Sequence, residues 1–337
     1  MNVSLRRNLT VFRKLKESSI KCYESNFLSM KKKFNVNKVI TDKWVEKHID
    51  TILSTYITEL ENKQITHAKF IAQLTCILLT LSPKQKRTPK AKYKHIYDRV
   101  NEIVKTKNKE YAEVKSTQKK NDKENENWVD YTEIVNYIKK NEPFAIKAFK
   151  ANKTKKTFLE LQQFLIMRLY TDIPPRRLDY QNMTVISFKE YSNTEFQEQI
   201  KNNNLWVYHK TKKAGSFFSF GVSLPKTQAY VEPEDKSVIW ICPKQIQKII
   251  YLLRSYKGEK SLLYNTKLKP VNKSSLSKLI SKAFKNAFDK KIGSSMLRKI
   301  YDSHKYKNDV PLEERKKIAK MMNHSIMMSM TTYTKVN

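Results

Sequence analysis

Glycine is scarce in this chain: four residues in 337, beside ten prolines. So few turn-formers argue against a loop-rich all-β protein. Cysteine is scarcer still, and Cys22, Cys76 and Cys242 are far apart and odd in number. None forms a CxxC pair, which speaks against a zinc knuckle and a disulfide framework and fits a reducing compartment. His48, His67, His95 and His209 lack metal-ligand spacing, so no metal site is expected. No apolar run is long enough to span a membrane, and the basic start, Met1 to Lys14, lacks the apolar core of a signal peptide. The expectation is a soluble, intracellular protein. Acid is the last shortage. Asp and Glu total 32 against 67 Lys and Arg, a formal net charge of +35. Such a field suits a polyanion, and nucleic acid first, because each neutralised phosphate releases counterions. A Lys-rich genome bias is the plainer explanation, but it ordinarily raises Glu together with Lys.

What is present is enough apolar sequence, 39% of the chain, to build real cores. Ile20, Tyr23, Phe27 and Met30 recur at helical spacing. A second helix is expected from Thr41, with Trp44, Val45, His48, Ile49 and Ile52 on one face. A third, from about Thr66 to Leu81, is apolar nearly all round and reads as buried in a small bundle. A basic, proline-punctuated break at 82–90 closes a helical domain assigned to residues 1–92. A polar helix at 93–114 and a stretch without apolar residues at 115–127 read together as a linker, 93–127.

The second domain is assigned to 128–337. Asp130 and Glu133 have capping-box spacing ahead of a helix to about Lys140. Another helix is expected from Thr157 to about Tyr170, stopping before Pro174-Pro175. Strands are expected at 205–209 and 218–222, around a basic turn from Lys210 to Gly215. Helices return at 243–257, after Lys273-Ser274-Ser275, at 297–306 and from Pro311. The fold class is mainly α with a small antiparallel sheet.

Four separated segments carry residues suited to phosphoryl transfer on a diester: Pro174-Pro175-Arg176-Arg177-Leu178-Asp179, the basic turn, Ser295-Met296-Leu297-Arg298-Lys299, and His324 through Tyr333 with Thr331-Thr332 ahead of the tyrosine. Arginine suits the task because its planar fork binds phosphate bidentately and stays charged. A general acid must protonate the leaving oxygen. In these segments the chain resembles the tyrosine recombinases, the family of phage-type integrases. The family pattern runs from a Gly-His or similar pair to a tyrosine nine positions after the histidine, the spacing of His324 and Tyr333. Its second arginine lies some two dozen residues before that histidine, and Arg298 stands 26 before. The first arginine follows a helix and a tight turn, with an acid three residues on, as Arg176 and Asp179 do. The resemblance covers about residues 128–337; residues 10–82 are similar only in character to the family's helical core-binding domain.

The resemblance implies a helical core-binding-like domain and a catalytic domain closing around double-stranded DNA. It implies cleavage and rejoining through a 3′-phosphotyrosine, without metal or ATP. Tyr333 is then the nucleophile, Arg176 and Arg298 hold the phosphate, and His324 bonds the phosphate or assists proton transfer. Lys210 or Lys212 protonates the leaving 5′ oxygen, a choice the sequence leaves open. Arg177, Lys213 and Lys299 are expected on the DNA, with Arg177 also the alternative to Arg176. Asp179 is expected to orient Arg176 or to cap the turn. Ser295 stands where the family has His or Lys, Pro174-Pro175 where it has a glycine turn, and the sequence stops at Asn337, short of the helix that many relatives carry after the tyrosine. The active species is expected to be a homo-oligomer on DNA, a tetramer in the synapse, in a host nucleus or cytoplasm or a viral factory, integrating a mobile or viral element. The rival readings are a type IB topoisomerase-like enzyme and a catalytically decayed DNA-binding relative.

Overall fold

The structure, a computed structural model, describes residues 6, 9–10, 14–82, 89–187, 204–210, 213–221, 237–258, 260–306 and 310–335. It divides into two compact units, Met1–Val114 and Lys115–Asn337.

The first unit is built from helices α1 (Glu17–Lys33), α2 (Asp42–Glu61), α3 (His67–Leu81) and the first turns of α4 (Lys94–Ser116). Two starts are capped as their sequences dictate. Thr41 accepts from the Trp44 amide and Thr66 from the Lys69 amide, each at 3.2 Å. The predicted apolar faces meet in one core that includes Ile20, Phe27, Met30, Val45, Ile52, Phe70, Leu74 and Ile77. Ile96 and Val100 of α4 belong to the same core.

The second unit opens with α5 (Asp122–Asn127), then α6 (Tyr131–Ala151) and α7 (Lys155–Leu169). Strands β1 (Thr184–Ser187), β2 (Asn204–Lys210), β3 (Lys213–Gly221) and β4 (Ser237–Ile241) follow. Helices α8 (Lys244–Lys257), α9 (Lys273–Phe288), α10 (Ser294–Lys305) and α11 (Leu312–Met321) complete it. A short helical turn, Ile326–Met328, then passes into a π-helical turn, Ser329–Tyr333. The core gathers around α7, where Phe158, Leu161, Leu165 and Leu169 are fully buried against residues of α6, α8 and α9.

Several local expectations are corrected. The span 93–127 is not one linker: α4 enters the first core, and α5 begins the second unit's fold. An Asn121–Glu124 capping box starts α5, and Glu124, only 4% exposed, anchors it. No capping box forms at Asp130, whose carboxylate accepts instead from the Trp128 indole at 3.2 Å. Helix α6 does not stop near Lys140 but continues through Pro143 to Ala151. Ile134, Ile138, Ile146 and Phe149 are buried on both sides of the proline, and that packing outweighs the lost backbone bond. The sheet has the order β1-β2-β3-β4. β1 runs parallel to β2, so the sheet is mixed rather than purely antiparallel. The basic turn is shorter than expected, because Lys210 pairs with Lys213 across β2 and β3.

Candidate active site

Helix α10 supplies the centre. Leu297, Ile300 and Tyr301 turn one apolar stripe inward, and that geometry carries Arg298 and Asp302, four residues apart, inside with it. Both are wholly buried. Taking a guanidinium out of water is costly unless its donors are satisfied. Arg298 satisfies one: Nη1 donates to the Met322 carbonyl at 2.8 Å. Its Nε and Nη2 have no hydrogen-bond partner. Burial pushes this guanidinium down from its ordinary range, opposed by Tyr333 and Asp302 nearby.

Arg176 comes from the turn after α7 and is also buried. Its Nε donates to Asp179 at 2.7 Å and its Nη1 to the Met321 carbonyl at 2.9 Å. The two arginines therefore hold consecutive carbonyls at the end of α11, where the last carbonyls of a helix lack intrahelical donors. The predicted partnership of Asp179 with Arg176 is the arrangement seen.

The end of α11 also places the histidine. Asn323 adopts a left-handed conformation with φ 57°. The Asn323 amide bonds Lys320 O at 3.0 Å and the His324 amide bonds Ala319 O at 3.1 Å. This is a Schellman ending, which favours glycine or asparagine at the left-handed position. The Asn-His pair thus has a backbone reason. His324 Nδ1 lies 2.9 Å from the Ser325 carbonyl. A carbonyl only accepts, so Nδ1 carries the proton and Nε2 presents its lone pair in the neutral ring. Nε2 is buried without a hydrogen-bond partner. Burial, with Arg298 and Arg177 adding to it, pulls the imidazole down to about 4.

Tyr333 closes the group. The Thr334 amide bonds Ser329 O at 2.9 Å, making the π turn that carries the tyrosine. Its ring, 4% exposed, lies with the Arg298 Cζ 4.6 Å from its centroid and the His324 ring 4.9 Å away. Arg177 Nη2 donates to the Tyr333 hydroxyl at 3.4 Å. The exposed Arg177 thus sits at the hydroxyl itself, beside the buried Arg176.

Of the remaining expected residues, Ser295 and Lys299 are not brought into this group. Ser295 is exposed in the first turn of α10. Lys299 forms an ion pair with Glu124, which Lys335 also approaches at 3.5 Å. Lys210 and Lys213 flank the β2–β3 connection as strand residues, and Lys212 lies outside the described residues.

Three residues without a role in the sequence reading join the site. Asp302 accepts from Ser329 Oγ at 2.7 Å and lies 4.0 Å from His324 Nε2. Ser303 accepts from the Lys335 amide at 2.7 Å. The one sequence signal for Asp302 was its place one turn after Arg298. Among the described residues no group of three His, Cys, Asp or Glu side chains is placed to hold a metal, and no helix is long and apolar enough to cross a membrane.

No protein-family model matches the chain, and no curated protein matches it. Among solved structures it is similar to one described as the crystal structure of XerA recombinase. Identity is 13%, over 99% of this chain and 93% of that one, with a TM-score of 0.38. At that score no shared fold is established, and the site stands on its own geometry.

Proposed function

We propose that this chain cuts and rejoins DNA strands through a covalent 3′-phosphotyrosine at Tyr333, as a site-specific recombinase. One observation carries the reading. A fully buried guanidinium with two unspent donor nitrogens lies over a tyrosine ring that a neutral histidine also packs against. Arg298 Nε and Nη2 are suited to an oxyanion, and a phosphodiester's non-bridging oxygens supply two.

In this account the Tyr333 hydroxyl gives up its proton to solvent and its oxygen attacks phosphorus while Arg298 and Arg176 hold the phosphate, stabilising the charge that develops on its oxygens. The bond to the 5′ oxygen breaks, and a lysine at the β2–β3 connection, Lys210 or Lys212, gives that oxygen its proton. Rejoining reverses the step. The 5′ hydroxyl attacks the phosphotyrosine, and the phosphodiester energy is retained. Arg177 donates to the Tyr333 hydroxyl and so orients the oxygen that attacks. His324 Nε2 faces the same phosphate. Lys213 and the wider positive charge bind the DNA backbone.

The finer reading, a tetrameric synapse acting inside cells for a mobile or viral element, rests on the resemblance in sequence. A catalytically decayed DNA-binding protein is the second reading, and one observation favours it: exposed Ser295 supplies no acid or base where the resemblance calls for His or Lys.

The test is a nicked duplex containing DNA that flanks the gene. Wild type should give a denaturation-resistant protein–DNA adduct and Tyr333→Phe none. No adduct with wild type would favour the decayed reading.

A further inference from the structure

The site holds one carboxylate that the proposed chemistry leaves unused. Asp302 is fully buried, and only one of its oxygens is hydrogen-bonded: Oδ2 accepts from Ser329 Oγ at 2.7 Å, while Oδ1 has no hydrogen-bond partner. A carboxyl so placed is expensive to ionise unless a cation answers it. Oδ2 lies 4.0 Å from His324 Nε2, the ring nitrogen that faces the proposed phosphate position and also lacks a partner. Two buried, half-satisfied titratable groups thus face each other across one short gap. The same oxygen is tied to the turn carrying Tyr333, four residues beyond Ser329.

We propose that Asp302 is a positioning residue that forms an ion pair with His324 Nε2, one proton serving the two groups, and, through Ser329, fixes the Tyr333 turn against that histidine. This rests on the reading of Tyr333 as nucleophile. With phosphate in place, the shared proton lies on Nε2 and is donated to a non-bridging oxygen, while Asp302 carries the balancing negative charge. His324 alone is a poor donor, because burial and the neighbouring Arg298 keep its ring neutral. The proton count comes from the pair. Burial pushes the Asp302 carboxyl up to about 7, against the Ser329 hydroxyl and the charge of Arg298. Other titratable groups coupled to it are Tyr301 on the same helix and Tyr306 just past its end. Both phenols are raised by burial and stay neutral across this range. Between about 4 and about 7 the two groups together therefore hold one proton, and above about 7 none.

The experiment has two arms. In the free protein, the 15N resonance of His324 Nε2 should show a titration step near pH 7 that disappears in Asp302→Asn. Ser329→Ala keeps both members of the pair and removes the hydroxyl that stabilises the carboxylate, so it should move the step to higher pH. Unchanged titrations in both variants overturn the proposal, and the serine variant serves if the asparagine variant does not fold. In the second arm, wild-type adduct formation on the nicked duplex should fall as pH rises through about 7, with the shared proton. Asp302→Asn should be slower by roughly 10²-fold at pH 6.5 and lack that limb. Equal rates and the same limb in the variant would also overturn it. If wild type forms no adduct but the titration step is present and lost in Asp302→Asn, the pair stands and the recombinase reading falls.

Discussion

Arg298 has the environment that packing explains least. Its side chain is among the largest that are fully buried, yet one nitrogen of three has a partner. A purely structural arginine in that position would be selected against, because a well-packed apolar side chain there is as stable or more so. Arg298→Met should therefore leave the melting temperature of the DNA-free protein unchanged or raise it, while cutting adduct formation by about 10²-fold or more. A large fall in melting temperature would assign Arg298 to the framework instead. At this scale the sequence picked out residues that lie together: Arg176 and Arg298 hold consecutive carbonyls, and Arg298 and His324 both pack on the Tyr333 ring. It was silent on Asp302 and Ser329. A buried carboxylate and a buried serine look, in sequence, like any polar residues on a helix or turn, and only tertiary placement makes one the other's partner. Lys299, expected on the DNA, is paired with the buried Glu124 from a distant segment.

Among the elements, the turn bearing Tyr333 is held from several directions. Ser329 bonds Asp302, Ser303 bonds the Lys335 amide, and the Gln118 amide donates to Met330 O at 2.6 Å. Glu124 adds a further tie, since its carboxylate meets both Lys299 and Lys335. Asn121 and the ion pair with Lys299 hold it below the ordinary carboxylate range in spite of burial. A lowered folded-state value means stability that is present above the unfolded value of about 4.5 and lost as pH falls through the folded one. Glu124→Gln should cost the second unit about 2 kcal/mol at pH 7, and the gap to wild type should close on acidification below about 4.5. Denaturant unfolding at pH 7 and in acid checks both; a gap that widens in acid would contradict the assignment. Helix α5 shows why this tie was not legible. Residues 122–127 contain no aliphatic side chain, so periodicity had nothing to report, and the helix is fixed by a capping box and an ion pair. Helix α6 shows the converse. Expected to end near Lys140, it runs on past Pro143 because apolar packing on both sides outweighs the lost backbone bond.

For the molecule as a whole, charge is the dominant property. With a formal +35, binding to duplex DNA should weaken steeply with salt, log K falling linearly with log salt at a slope of about −0.9 per phosphate contacted. Titrations from low to moderate ionic strength, read by anisotropy, check this, and a flat dependence would contradict the account. The division into two units was legible from the change in composition, but its boundary was not. The structure puts it at 114/115, beside the end of a long helix rather than in a disordered tether. The predominance of helix was legible from glycine poverty and periodicity. The parallel edge strand β1 was not, because four residues without alternation give no strand signal.

The central claim is that Tyr333 takes the phosphate. The most direct measurement is peptide mass spectrometry of the adduct formed on a nicked duplex, after nuclease trimming. The account predicts a nucleotide remnant on Tyr333 through its 3′ phosphate, and no adduct from Tyr333→Phe. A remnant on any other residue, or an adduct that survives Tyr333→Phe, would contradict it.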